Sequence, residues 1–347
     1  MEKLDGVMAG PAAAVRSGIG KHLLGAAVTL LCLGVLAYRV DLAEVVAALA
    51  RFRWEFLVPA LAALGAGYAL RILRWSVMLR AAGGAVGVRG CVAPFMAAIA
   101  LNNVLPFRLG DIIRALVFPA SMGISKATAA GSLVVERLVD LLSLLAGLSV
   151  GLIAIRTLSI PPHLEQLALT LAVAGGVTLF GVVLFSAPLA AWLRQMSQRR
   201  GPARSAVLAG LAALLAGFAA MSRPQVLLAM GGLSVGVWLG EAGLFYFVLL
   251  GAGIAATPAT ALLVMAVATL STLVPSSPGY VGPFHLAVFA AVTLVGGSAA
   301  QAGSYAVIVH LALWLPTTLA GAAAIWARPD LFKAAKNRAP LSAPVQE

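Results

Sequence analysis

The chain has little of what a water-facing protein relies on. Only 10% of its 347 residues are charged, against roughly 25% in soluble domains, which excludes an ordinary soluble fold. Acidic residues number 12 against 24 basic ones, so no acidic surface for cationic partners is available. The two cysteines, Cys32 and Cys91, are far apart in sequence, which excludes a disulfide framework or a cysteine-spaced metal site and leaves them as small apolar packers. Also missing are a P-loop, a GxGxxG opening a βαβ unit, HExxH, GxSxG and any Cys/His metal spacing. With no polar stretch long enough for a soluble domain, this set of absences argues against a nucleotide- or metal-dependent enzyme and predicts no cofactor. A single "GYVG", preceded by prolines, is too little for a potassium filter.

What is present is apolar sequence: 61% hydrophobic residues and a mean hydropathy of +1.00. Apolar runs cover 22–38, 56–70, 141–155, 166–193, 225–250, 257–274, 284–300 and 303–327. Several reach the ~20 residues that a helix needs to cross a bilayer core. The expected fold class is therefore all-α: a polytopic helical membrane protein with about six to eight transmembrane helices. A polar cytoplasmic lead (1–20) precedes one transmembrane domain (21–328), and a basic tail follows (329–347). The amphipathic stretch 41–53 reads as a helix lying flat at the outer interface. Segment 205–222, flanked by Arg204 and Arg223, reads as a cytoplasmic surface helix or a partly inserted one.

The formal charge of +12 invites a nucleic-acid reading, but its distribution argues otherwise. Basic residues gather in alternate loops: Lys3, Arg16 and Lys21; Arg71, Arg74, Arg80 and Arg89; Arg194, Arg199, Arg200 and Arg204; then Arg328, Lys333, Lys336 and Arg338. This positive-inside pattern predicts a bacterial-type inner membrane and places both termini in the cytoplasm. It also gives Arg71, Arg74 and Trp75 an interfacial role.

Three polar constellations interrupt the apolar sequence. "NNVLPFRLGDIIRA" brings Asn102, Asn103, Arg108, Asp111 and Arg114 to the edge of membrane-depth sequence. Each ionised group there costs on the order of 2.5–3.5 kcal/mol unless paired or facing a cavity. Asp111 and Arg114 are spaced to pair on one helical face. Pro106 interrupts the helix, and Gly110 permits a turn whose amides would face an anion. "VVERLVDLL" supplies Glu136, Arg137 and Asp140, either neutralising those arginines or forming an acid pair. "PSSPGYVGPFH" breaks a second segment at Pro275, Pro278, Gly279 and Gly282, where Ser276, Ser277 and bare backbone would line a polar pocket. His285 follows one turn later, with Glu241 as its most attractive acidic partner; an ordinary packing histidine is the alternative. The two interrupted segments, near 91–120 and 257–300, read either as re-entrant pairs or as full crossings. Their placement in two halves is the mark of an inverted repeat, although residue similarity between the halves is slight.

Taken together, these motifs resemble the lysylphosphatidylglycerol synthase transmembrane-domain family, also described as flippase-like. The match rests on Asn103, Pro106, Arg108, Gly110, Asp111 and Arg114, on Arg74-Trp75, on Glu136, Arg137 and Asp140, and on Pro278, Gly279 and Gly282. Two positions depart from it, Asp111 and His285, each standing where the family usually carries glutamate. The resemblance implies a stand-alone membrane domain that binds a lipid headgroup and moves it between leaflets, without a soluble transferase domain. Arg108 and Arg114 would contact the headgroup, and Asp111, Glu136 and Asp140 would balance them. The alternatives it implies are a subunit presenting lipid to a separate aminoacyl- or glycosyl-transferase, or a hopanoid or isoprenoid pathway membrane protein. The expected partner is a membrane lipid and not nucleic acid.

Overall fold

The computed structural model describes residues 10–155, 162–198 and 202–332. Residues 1–9, 156–161, 199–201 and the tail from 333 lie outside the described residues. The elements are α1 (Gly10–Arg39), α2 (Leu42–Ala50), α3 (Leu57–Ala81), α4 (Val88–Val104), α5 (Leu109–Leu116), α6 (Pro119–Met122), α7 (Lys126–Ala154), α8 (Pro162–Gln198), α9 (Pro202–Met221), α10 (Pro224–Gly251), α11 (Pro258–Ser271), α12 (Pro283–Leu294) and α13 (Ala299–Ala327). The chain is an all-α polytopic membrane protein. Among the described residues, four helical segments are long and apolar enough to cross a bilayer, ending with α3, α7, α10 and α13. The bent pair α1–α2, with an 83° angle at its break, is a fifth candidate.

Both interrupted segments are re-entrant hairpins rather than full crossings. Segment 88–122 leaves from Gly84 and returns to Ile124, which lies against Gly84. Within it, α5 doubles back on α4 so closely that a Cβ on Gly110 would sit 2.0 Å from the Ala98 carbonyl oxygen. The second hairpin, α11–α12, enters from the opposite end of the bundle. There Gln301, at the start of α13, donates to the carbonyls of Ala252 and Gly253, at the end of α10. The two tips meet in the middle, where Gly279 of the second faces the Asn103 carbonyl, which also accepts from Trp314 Nε1 of α13 at 3.3 Å.

This arrangement is an inverted repeat. α3 and α10 cross antiparallel through small residues, with Gly67 beside Gly240 and Leu70 beside Gly236. Each is followed by the same turn: Ala82, Gly83 and Gly84 bond back to Met78, Arg80 and Leu79, as Ala252, Gly253 and Ile254 do to Val248, Leu250 and Leu249. The hairpin tips each carry two consecutive left-handed residues, Phe107-Arg108 and Gly279-Tyr280. The closing helices α7 and α13 both run 29 residues from a serine N-cap, Ser125 and Ser298. At residue level the tips retain little more than Pro106 with Pro278 and Gly110 with Gly282.

Several sequence expectations change. Residues 10–20 of the lead are already helical, because α1 begins at Gly10. The first part of the tail docks: Leu331 is buried and Phe332 meets Phe118 edge-on at 5.4 Å. α9 packs beside the start of α7, with Leu214 and Met221 near Gly131. It therefore ends where α7 and α10 begin, without carrying the chain to the other end.

The α3–α10 crossing tolerates no side chain at its centre. A Cβ on Gly240 would lie 2.8 Å from the Ala63 carbonyl oxygen and from Gly67 Cα. We expect Gly240→Leu to lower thermal stability in detergent by at least the ~1–3 kcal/mol of an overpacked core. Gly231→Leu, with nothing within 4 Å on the same helix, should leave the unfolding temperature nearly unchanged.

Candidate functional site

Above the helix crossing, the tips and the middle of α7 enclose a cavity of about 320 Å³. Its walls combine arginine and carboxylate with aromatic rings: Arg71, Arg108 and Arg137; Glu136, Asp140 and Glu241; Tyr68, Trp238, Tyr280 and Trp314.

The charges form one connected network. Asp111 is held by Arg137 at 2.9 Å, by Arg108 at 3.3 Å and by the Asn102 amide at 3.0 Å. Asn102 also accepts the Asp111 backbone N–H. Asp140 is held by Arg74 at 2.7 Å, with Arg71 and Arg137 each at 3.7 Å. Glu241 pairs with Arg71 at 2.5 Å and accepts from Thr269. Arg114 pairs with Glu136 at 2.8 Å and lies over the rings of Trp75 and Phe95, about 5 Å from each centroid. Such a packed cation gains from the ring quadrupoles while desolvated. Five arginines thus face four carboxylates. One positive charge is left over.

The geometry sorts the candidate residues. Arg108 and Arg137 keep a third of their side chains exposed, whereas Arg74 and Arg114 are almost fully enclosed. Arg114 therefore cannot reach a headgroup, and its partner is Glu136, not Asp111. Gly110 does not form the expected turn: the left-handed residues are Phe107 and Arg108, and Gly110 is needed for close approach to α4. The Asp111 amide is taken by Asn102, so it is not offered to an anion. Asn103 faces α13, donating to Thr317 and Thr318.

The second tip contributes less polarity than expected. Ser276 and Ser277 turn away from the cavity toward α1, where the Ser276 carbonyl abuts Gly25 and the Ser277 amide donates to Thr29 Oγ1 at 3.1 Å. Pro275 and Pro278 are exposed, while Gly282 is pressed against Thr29 and Cys32. Gly279 faces the bonded pair of Asn103 carbonyl and Trp314 indole, where a Cβ would sit 3.2 Å from the indole nitrogen. His285 has no contact with Glu241, which is committed to Arg71; it stacks on His310 instead, with centroids 4.6 Å apart.

Sequence reasoning missed Arg71 and Arg74. Both were assigned to an interface, as was Trp75, which is wholly buried and donates to Ser132 at 3.1 Å. The missed signal was their spacing: one helical turn separates two arginines on a helix whose antiparallel partner carries Glu241. Tyr68, Trp238 and Trp314 carried no motif.

The family comparison agrees with this geometry. The model for the lysylphosphatidylglycerol synthase TM region matches residues 22–321. The chain belongs to that family. No curated protein and no solved structure matches it. The match spans both hairpins and all the charged residues of the network.

Removing one partner of a buried pair strands the other. We expect Glu136→Gln, which leaves Arg114 without its carboxylate, to cost about 3–5 kcal/mol. The double variant Arg114→Met with Glu136→Leu should recover much of that loss. Chemical unfolding of the purified variants in detergent checks both.

Proposed function

We propose that this member of the lysylphosphatidylglycerol synthase TM-region family binds the anionic part of a lipid headgroup in the cavity and moves that lipid between leaflets. The observation that carries this reading is the surplus cation. A network with five arginines and four carboxylates is completed by one anion, and Arg108 and Arg137 are the arginines with room to meet it. A cavity of about 320 Å³ suits a headgroup and leaves acyl chains outside. The inverted repeat supports alternating exposure, since two related halves can exchange conformations around a central site.

The reading is of a translocator rather than an enzyme, because the four carboxylates are engaged by arginines and none is placed as a free general acid or base. Exposed Arg80, Arg89, Arg223 and Arg328 collect at the end of the bundle where α7 and α10 begin. By the positive-inside rule that end faces the cytoplasm of a bacterial-type inner membrane. Headgroup binding would then start from the α4–α5 hairpin, on the cytoplasmic side.

In liposomes containing a trace of fluorescent anionic phospholipid, the protein should expose inner-leaflet label to an external quencher. Arg108→Ala should abolish most of this activity, and Arg137→Ala should also lower stability because Arg137 bridges Asp111 and Asp140. Exposure no faster than in empty liposomes, or full activity in Arg108→Ala, would reject transport.

A further inference from the structure

The two repeats differ at the cavity wall. Counting α7 and α13 from Ser125 and Ser298 pairs Leu141 with Trp314. Counting α4 and α11 from Val88 and Pro258 pairs Asn103 with Leu273. The repeat-related couples are therefore Trp314–Asn103 and Leu141–Leu273, and all four residues line the cavity.

The two couples are in opposite states. Trp314 closes over the tip of α4, donating to the Asn103 carbonyl at 3.3 Å with Gly279 packed beneath the indole. α1 lies behind the adjacent tip, with Thr29 Oγ1 donating to the Val281 carbonyl at 3.1 Å. Leu141, at the position of Trp314, has no side-chain donor for a matching bond to the Leu273 main-chain carbonyl. Leu141 and Leu273 remain 39% and 63% exposed while also lining the cavity. A residue that faces both a cavity and the outside of a bundle marks the rim of an opening. Arg108 and Arg137, both on Asp111, lie just inside it.

We propose that the gap between Leu141 of α7 and Leu273, after α11, is a lateral portal. One membrane lipid occupies it, with its acyl chains in the bilayer and its headgroup on Arg108 and Arg137. The Trp314–Asn103 couple is the latched counterpart of this portal in the other repeat. The rim chemistry selects the occupant: two leucines suit hydrocarbon, and the arginines one step inside suit an anion. In water the same leucines would be an unsatisfied apolar edge. The portal deepens the headgroup reading of the preceding section and rests on it for its occupant, but its position can be tested without lipid transport.

The test transplants the latch. In a background with Cys32→Ala and Cys91→Ala, Thr272→Cys places a thiol on the half-buried cavity wall. A bilayer-soluble maleimide should label it in proteoliposomes. Leu141→Trp with Leu273→Asn builds in the open half the couple that closes the other, and should slow labelling several-fold. Leu319→Cys, exposed elsewhere on α13, should label equally in both forms and reports on folding. Adding Trp314→Leu to the closed form should restore labelling through the second portal. Unchanged labelling of Thr272→Cys in the closed form overturns the portal. Labelling by a water-soluble maleimide alone also overturns it, and continued protection after Trp314→Leu overturns the latch. Should the double substitution aggregate, Leu141→Phe carries the same comparison. A closed form that is protected yet still moves lipid leaves the portal standing and rejects transport through this cavity.

Discussion

Neutralisation of charge at membrane depth is the constraint on which the rest of the structure depends. Each ionised side chain in the hydrocarbon region costs on the order of 2.5–3.5 kcal/mol unless a partner or water meets it. This chain concentrates five arginines and four carboxylates there, so the helices carrying them must converge. Arg71 and Arg74 come from α3, Arg108, Asp111 and Arg114 from the first tip and α5, Glu136, Arg137 and Asp140 from α7, and Glu241 from α10. The glycine-lined crossing of α3 and α10 brings Arg71 within reach of Glu241. Apolar packing alone offers little drive between helices in lipid, where small residues and polar bonds favour association instead. Here both coincide at one level of the bundle.

The second constraint is broken backbone. Two hairpins end at membrane depth, and their unpaired groups need partners that lipid cannot supply. The neighbouring helices α13 and α1 supply those partners where the tips meet. The Asn103 carbonyl receives Trp314, and the Ser277 amide and Val281 carbonyl are both met by Thr29. The price is left-handed backbone at Phe107, Arg108 and Tyr280, of order 1–3 kcal/mol for each such non-glycine residue. That strain at Arg108 sets one of the two most exposed arginines of the network at the cavity wall.

Much of this was legible in the residues. Apolar runs and loop charges indicate a helical membrane bundle, and proline and glycine mark both breaks. What periodicity cannot show is pairing between helices remote in sequence. Arg74 and Trp75 look like interface anchors because snorkelling arginine and buried arginine have the same local sequence; only Asp140 and Ser132 on α7 distinguish them. Likewise Ser276 and Ser277 look like pocket residues until α1 is seen to take their backbone groups. The repeat shows in the sequence only as two interrupted segments, because its halves share turns, caps and helix lengths while nearly all their side chains have been replaced.

That replacement is itself informative. At the positions related to Glu136, Arg137 and Asp140 the second half has Val309, His310 and Leu313, and at those related to Arg74 and Arg108 it has Leu244 and Tyr280. The backbone is doubled but the charge is not. A symmetric scaffold with symmetric charge would hold an anion equally in both halves. Here the two arginines with room for an anion, Arg108 and Arg137, lie in one half, and the half containing the stacked pair His285 and His310 offers aromatic rings instead. Under the proposed translocation, a headgroup passing between the halves would move from a strong site to a weak one. Departure, rather than capture, is then the step that the second half must assist. The residues best placed to influence it are those that replace the arginines, Tyr280 and His310, both of which line the same cavity.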